Sequence, residues 1–244
     1  MKDKSLIYGI RPVIEAIKSG KTIEKVLIQK DLRGDLFKEA FQVIREAGVI
    51  FQFVPVEKLN RLHSGNHQGM MGWLSQIEYT PFEDVLISAF EKGRNPLLLV
   101  LDRVTDVRNF GSIARTAECA GVDAIIVPVK DSAMITSDAV KTSAGALHHI
   151  PVAKVKSLTD AVKYMKQSGL KIVAATEKGS EPFYTADFKG PLALVMGAED
   201  VGVSNDLIRL SDEFVKIPLY GNIESLNVAV ATGIILFEAA RQRG

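Results

Sequence analysis

"PLLLVLDRV", Pro96 to Val104, is an unbroken apolar run of strand length that ends in charge. A strand with one wet face alternates apolar and polar residues, whereas a continuous apolar run marks a strand covered on both faces, as in parallel sheets. Further strand-like runs follow downstream: "DAIIVP", "PVAKV", "KIVAAT", "PLALVMG" and "EFVKIP". Helical patterns alternate with most of them: "NFGSIARTAECAG", "SDAVKTSAGAL", "SLTDAVKYMKQSG" and a shorter one near "SNDLIRL". Alternation of this kind predicts a parallel sheet with helices on both faces. Such folds bind ligands in the loops beyond the carboxyl ends of their strands.

Upstream, residues 1–77 read as a smaller α/β module. "GIRPVIEAIKSG" predicts a helix with Pro12 near its first turn and Gly20 just past its end. "EKVLIQ", "VIFQFV" and "GMMGWLSQI" read as strands, and "GDLFKEAFQVIREAG" and "VEKLNRL" as helices. The stretch 78–95 carries "YTPFEDVLISAFEKGRNP", with breakers at each end, and is expected to be a linker holding one short helix. Residues 96–244 then form the second module.

Composition narrows the class. The chain has 244 residues, 47% hydrophobic and 24% charged, as soluble globular proteins do. One cysteine, Cys119, excludes an internal disulfide and a thiolate metal cluster, which fits a reducing compartment. No apolar run approaches ~18 residues and no apolar segment follows the polar "MKDKS", so neither a membrane span nor a signal peptide is expected. A cytoplasmic location follows as the default. The net charge of +1 hides an asymmetry: 12 Lys/Arg against 8 Asp/Glu in residues 1–77, and 18 against 21 in the remainder. A basic first module suits docking of a polyanion, with Arg11, Lys25, Lys30, Arg33 and Arg61 as candidates for phosphate contact; ordinary solvated faces remain the alternative.

Several chemistries are missing. Only Gly111 stands where a dinucleotide fold would carry G-x-G-x-x-G, and no G-x-x-x-x-G-K-[ST] occurs. No Ser-His-Asp or Cys-His set presents itself. His148 and His149 flank a strand start, and His63 and His67 lie in "HSGNHQG", where turn chemistry is the simpler reading. No metal site is expected. The last stretch, "LYGNIESLNVAVATGIILFEAARQR" (Leu219 to Arg243), is apolar on all sides from Val228 to Ala240 yet opens with Glu224, Ser225 and Asn227. These are either helix caps or members of a pocket.

"NFGSIARTAECAG", "MGAEDVG" and "IPLYGNIESLNVAVATGIILFEAARQR" together resemble the three motifs of the SpoU (TrmH) family of RNA ribose 2′-O-methyltransferases, over Pro96 to Arg243. "YGIRPVIEAI" and "NHQGMMG" resemble the L30e-like substrate-binding domain of a subgroup that modifies a guanosine in the peptidyl-transferase loop of 23S rRNA. The resemblance implies a SPOUT fold, a parallel sheet whose C-terminal segment threads a trefoil knot, and a homodimer. It implies S-adenosylmethionine as methyl donor, held at Gly197, Ile217, Leu226 and Thr176; plain core packing is the competing reading of Ile217 and Leu226.

Carried over residue by residue, the catalytic set is Arg115, Asn109, Glu199, Ser225 and Asn227. Arg115 would place fixed positive charge beside the developing alkoxide, because guanidinium hardly deprotonates in proteins. Asn109 would cap its helix, anchor ribose, or both. Glu199 would orient Arg115 or hold its loop. Ser225 and Asn227 would combine capping with a pocket role, since a helix N-terminus favours negative ligand groups. This chain departs from the family pattern at Val107 and Arg108, where Pro-His is common, and at Asp200, where Gly is common. The implied partner is RNA, as 23S rRNA or a pre-ribosomal particle. Transfer to tRNA and a non-catalytic RNA-binding protein are the rival readings.

Overall fold

Residues 5–177, 179 and 181–244 are described in the computed structural model, so the polar start read at 1–4 lies outside them. The chain divides into two units, Met1–Glu78 with Met134–Ser137, and Tyr79–Ala133 with Asp138–Gly244.

The first unit runs β1 (Leu6–Tyr8), α1 (Ile10–Lys18), β2 (Ile23–Gln29), α2 (Asp35–Glu46), β3 (Phe51–Val54), α3 (Val56–Leu62) and β4 (Met70–Leu74). Its sheet has the order β1-β4-β2-β3, with β4 antiparallel to β1 and β2 and β3 parallel to β2. β1 was not anticipated, because three residues are too few to show alternation. The pleat sends Val26 and Ile28 to the face covered by Val13 and Ile14 of α1 and Ala40 and Ile44 of α2. Leu27 and Met71 face the other way, toward Leu59 of α3.

The "NHQG" motif is architecture in this unit. Gly9, at φ 103°, precedes α1 and offers no side-chain cap. The cap comes from a distant residue: Gln68 Oε1 accepts from Ile10 N at 3.2 Å. His67 is buried; its Nδ1 accepts from Gly69 N at 3.0 Å, leaving Nε2–H to donate to Asn60 Oδ1 at 2.8 Å.

The second unit contains α4 (Phe82–Glu91), β5 (Leu97–Asp102), α5 (Val107–Cys119), β6 (Ala124–Pro128), α6 (Ser137–Thr142) apart from its first residue, β7 (Val152–Val155) and α7 (Leu158–Gln167). It continues with β8 (Lys171–Ala175), β9 (Glu181–Pro182), β10 (Leu192–Gly197), α8 (Asn205–Leu210), β11 (Glu213–Lys216) and α9 (Val228–Arg243). The sheet order is β7-β6-β5-β10-β8-β11-β9, parallel at every pairing. β5 is buried at every residue, as its sequence demands of an interior strand. On one face Leu98, Val100, Ala193 and Val195 meet Phe82 and Leu86 of α4, Val162 and Met165 of α7 and Leu207 of α8. Residues 78–95 therefore carry a helix whose apolar side belongs to this core. The opposite face takes α9, which packs on β10 and against α5.

Side chains of the last turns tie down α9. Arg243 Nη1 donates to Phe188 O (2.8 Å) and Gly190 O (2.7 Å), and Gln242 Nε2 donates to Ala186 O (2.9 Å). Glu238 accepts two bonds from Arg241 and one from Gln242, each 2.8 Å, which holds its carboxyl at about 2 rather than 4.5. A depressed carboxyl stabilises the fold fully above its ordinary value and loses that contribution as pH falls toward the folded one. The native chain should therefore melt above Glu238→Gln at neutral pH, with the gap closing between about 4.5 and 2. Thermal melting across that range checks this, and a pH-independent gap would contradict it.

Candidate active site

Parallel register sets the site. β10 pairs with β5 so that Gly197 lies opposite Asp102 where both strands leave the sheet. The chain then doubles back: Gly202, at φ 62°, donates from N to Ala198 O at 2.9 Å. A Cβ on Gly197 would strike the backbone of Gly202 and Val203. Glycine is required there by the loop's own return path. Glu199 and Asp200 are exposed on this loop.

Glu199 is a hub. Its Oε1 accepts from Asn109 Nδ2 at 3.2 Å, from Val228 N at 3.0 Å and from Asn227 Nδ2. Asn227 Nδ2 also donates to Asn109 Oδ1 at 3.0 Å, while Asn227 Oδ1 caps α9 by accepting from Ala229 N at 3.0 Å and Val230 N at 3.4 Å. The carboxylate thus sits at the positive end of α9, a favourable place for negative charge. Of the two roles weighed for Glu199, these bonds are the loop-holding one. The cap of α5 is Asp106, whose Oδ1 accepts from Arg108 N (2.9 Å) and Asn109 N (2.7 Å). Asn109 is therefore not the cap; it stands in the first turn with its amide free for the Glu199 cluster. Asn227 both caps and joins the cluster, whereas Ser225 is exposed and lines a cavity without capping α9.

Two cavities flank the loop. Thr176, Gly197, Ile217 and Leu226 all line the first, with Glu199 and Ser225. Val215 and Ile235 add apolar wall, and the exposed carboxylates of Glu177 and Glu224 add polar rim. Arg103, Asp106, Asn109 and Asp131 line the second, and Ala198, Glu199, Asp200 and Val228 line both. The loop is a shared wall. An apolar slot edged by backbone groups and carboxylates suits a nucleoside, whose ring wants burial and whose hydroxyls want acceptors.

Sequence reasoning missed Arg103. It holds a left-handed φ of 60°, a conformation that non-glycine residues adopt mainly when their surroundings impose it. Arg103 Nε donates to Asp102 Oδ1 at 3.3 Å and Nη2 to Gly202 O at 3.1 Å, while the buried Asp102 accepts from Ser204 N through Oδ2 at 2.7 Å. The pair clamps the loop to the end of β5. Its sequence signal was the charged "DR" that closes an otherwise apolar strand.

Arg115 does not join the cluster within one chain. Six residues along α5 from Asn109 turn it about 240° around the axis and ~9 Å along it. It is exposed and lines neither cavity, and its side chain has no hydrogen bond or ion pair among the described residues.

Cavities at the strand ends of a parallel sheet, walled by two helix starts and a glycine-dependent loop, define an α/β protein with a ligand site at its strand ends. Residues 96–237 match the SpoU rRNA Methylase family, and residues 6–80 match the family described as RNA 2'-O ribose methyltransferase substrate binding. A putative TrmH family tRNA/rRNA methyltransferase of Bacillus subtilis, YacO, is 33% identical over 237 residues, 97% of this chain and 95% of the relative. An AdoMet-bound rRNA methyltransferase from Sinorhizobium meliloti superposes with a TM-score of 0.62 at 28% identity, over 97% of this chain and 86% of the other. The SpoU methyltransferase AviRb from Streptomyces viridochromogenes, in complex with AdoMet, gives 0.61 at 27%, over 98% and 90%. The chain belongs to the SpoU rRNA methylase family and is an RNA methyltransferase of that family. No helix among the described residues is long and apolar enough to cross a membrane.

Replacing Arg103 with Ala should free the loop without unfolding the sheet. Hydrogen exchange of the Gly202 and Ser204 amides is expected to quicken about tenfold, the loss of roughly 1.4 kcal/mol of local stability. Unchanged exchange would show that the clamp is idle.

Proposed function

We propose that the chain transfers the methyl group of S-adenosylmethionine to a ribose 2′ oxygen of RNA, a guanosine in the peptidyl-transferase loop of 23S rRNA, in the cytoplasm. The convergence of Thr176, Gly197, Ile217 and Leu226 on one cavity carries this reading. The shared wall supports it further, because a donor in the first cavity and an acceptor in the second would meet across Glu199 and Val228. Residues 1–77 deliver the RNA in this account and residues 96–244 perform the transfer, with the C-terminal segment threaded as a knot. Transfer to tRNA is the second reading, favoured by the tRNA/rRNA naming of the B. subtilis relative.

When bound, S-adenosylmethionine supplies an electrophilic methyl group. Ile217, Leu226 and Val215 would hold its apolar ring, and Glu177 and Glu224 would accept from its hydroxyls. Asn109, held by Glu199 and Asn227, orients the acceptor ribose. The 2′ hydroxyl is a poor nucleophile until its proton leaves, so positive charge must meet the developing alkoxide. Arg115 provides it by electrostatic stabilisation, since its guanidinium stays charged. It does so across a homodimer, from the partner subunit's Arg115, because Arg115 lies outside both cavities of its own chain. The exposed side of α9 supports the dimer: Val230 and Phe237, seven residues apart on one stripe, are each 52% exposed.

Incubation with methyl-labelled S-adenosylmethionine and separate unmodified 23S rRNA and tRNA tests the reading. Label in an alkali-resistant dinucleotide from the peptidyl-transferase loop is expected. Label on tRNA would move the acceptor, and label on neither would defeat the proposal. Arg115→Ala should lose transfer at least about 100-fold with cofactor affinity unchanged, and retained turnover would remove Arg115 from the site. Phe237→Glu should give monomers by light scattering and lose transfer with them; an intact dimer would place the interface elsewhere.

A further inference from the structure

The basic residues of the first unit collect at one end of its sheet. Tyr8 ends β1 opposite Met71, Gln29 N donates to Gly69 O at 2.8 Å, and Lys30 N donates to Val54 O at 3.0 Å. The carboxyl ends of β1, β2 and β3 and the start of β4 therefore lie together. Arg11 follows β1, Lys30 and Arg33 follow β2, and Arg61 lies in the last turn of α3, just before the loop that leads into β4. All four are exposed and have no side-chain partner among the described residues. Asp31 and Glu57 are exposed acids nearby, and Asp35 is taken by Lys38 at 2.9 Å. Lys25, the fifth candidate cation, lies within β2 and donates to Gln52 Oε1 at 2.9 Å.

Amid these cations stands a pair of rings. Tyr8 and His63 stack with centroids 3.9 Å apart and planes 28° from parallel. Tyr8 is 44% exposed. Its neighbours explain why it is held there: Gly9 and Ile10 are fixed by Met70 O and Gln68 Oε1, so the ring's base is anchored while its face stays wet. Aromatic faces beside exposed guanidinium groups are how proteins hold unpaired nucleotides, the rings stacking with bases and the cations following the phosphates. A duplex hides its base faces and would gain nothing from the rings.

We propose that Tyr8 and His63 form a stacking platform for an unpaired base of the RNA substrate, with Arg11, Arg61, Lys30 and Arg33 tracking the flanking phosphates. This rests on the RNA-methylating role proposed above and specifies the form of substrate the first unit accepts, a single-stranded segment.

Fluorescence anisotropy of the full chain with a ~12-nucleotide single-stranded RNA, and with the same sequence fully paired, tests it. The single strand should bind at least about tenfold tighter than the duplex; Tyr8→Leu should lose about tenfold and Tyr8→Trp should keep wild-type affinity. Arg11→Ala and Arg61→Ala should each reduce the salt slope by about 1. If Tyr8→Leu lowers the melting temperature, His63→Leu, which leaves β1 untouched, carries the test with the same expected loss. Equal binding of duplex and single strand, or wild-type affinity in both ring variants, would overturn the platform. Methyl transfer measured on the same samples separates the two claims. Transfer by the native chain with unchanged KM for RNA in the ring variants overturns the platform alone. Ring-dependent binding without transfer upholds the platform and removes the activity.

Discussion

One carboxylate oxygen holds the second unit's site together. Glu199 Oε1 gathers donors from the first turn of α5 and from the cap and first amide of α9. Those helices lie far apart in sequence, and neither approaches the other's N-terminus by local propensity. Bonds to a charged acceptor are worth about 1.5–3 kcal/mol each when shielded from water, and less at an exposed site such as this one. Their value here is geometric. They fix which way the loop after β10 faces, and that loop is the wall of both cavities.

The sheet makes this arrangement possible. Parallel pairing brings the carboxyl ends of β5, β10, β8 and β11 to one side, so residues 102–106, 197–203, 176–177 and 217–226 converge there. The inner ends of those loops are pinned by the buried Asp102 beneath the loop, through Ser204 N and Arg103, and by the return of Gly202 against Ala198 above Gly197. The far end of α9 is pinned at 186–190 through Gln242 and Arg243. A helix fixed at both ends presents its N-terminus at a constant position, which an anionic partner such as Glu199 requires.

Much of this was legible in residue order. The continuous apolar runs became interior parallel strands, and the 3.6-residue patterns became helices within a few residues of their expected ends. The four cofactor positions, carried over by resemblance, share a cavity. What escaped depends on distance rather than on local pattern. β1 and β9 are too short to show a period and exist only through their neighbours. Asp106, not Asn109, caps α5; the cap signal was present three residues earlier, but a motif asparagine drew the role. Arg103 bonds across 99 residues to Gly202, which no window reveals. The turn of α5 alone was enough to separate Arg115 from Asn109. "NHQGMMG", read as a substrate-domain signature that the match over residues 6–80 bears out, also supplies a cap and a buried imidazole, and the stacked ring pair is Tyr8 with the half-buried His63.

The proposed S-adenosylmethionine cavity depends on the Glu199 cluster for its shape. The most direct measurement is a calorimetric titration of S-adenosylmethionine against Glu199→Ala beside the native chain, with melting temperature as the folding control. The account predicts at least about tenfold weaker binding in a variant that remains folded, the loss of roughly 1.4 kcal/mol of preorganisation. Native affinity in Glu199→Ala would contradict it, and would mean that the cavity is shaped without the carboxylate.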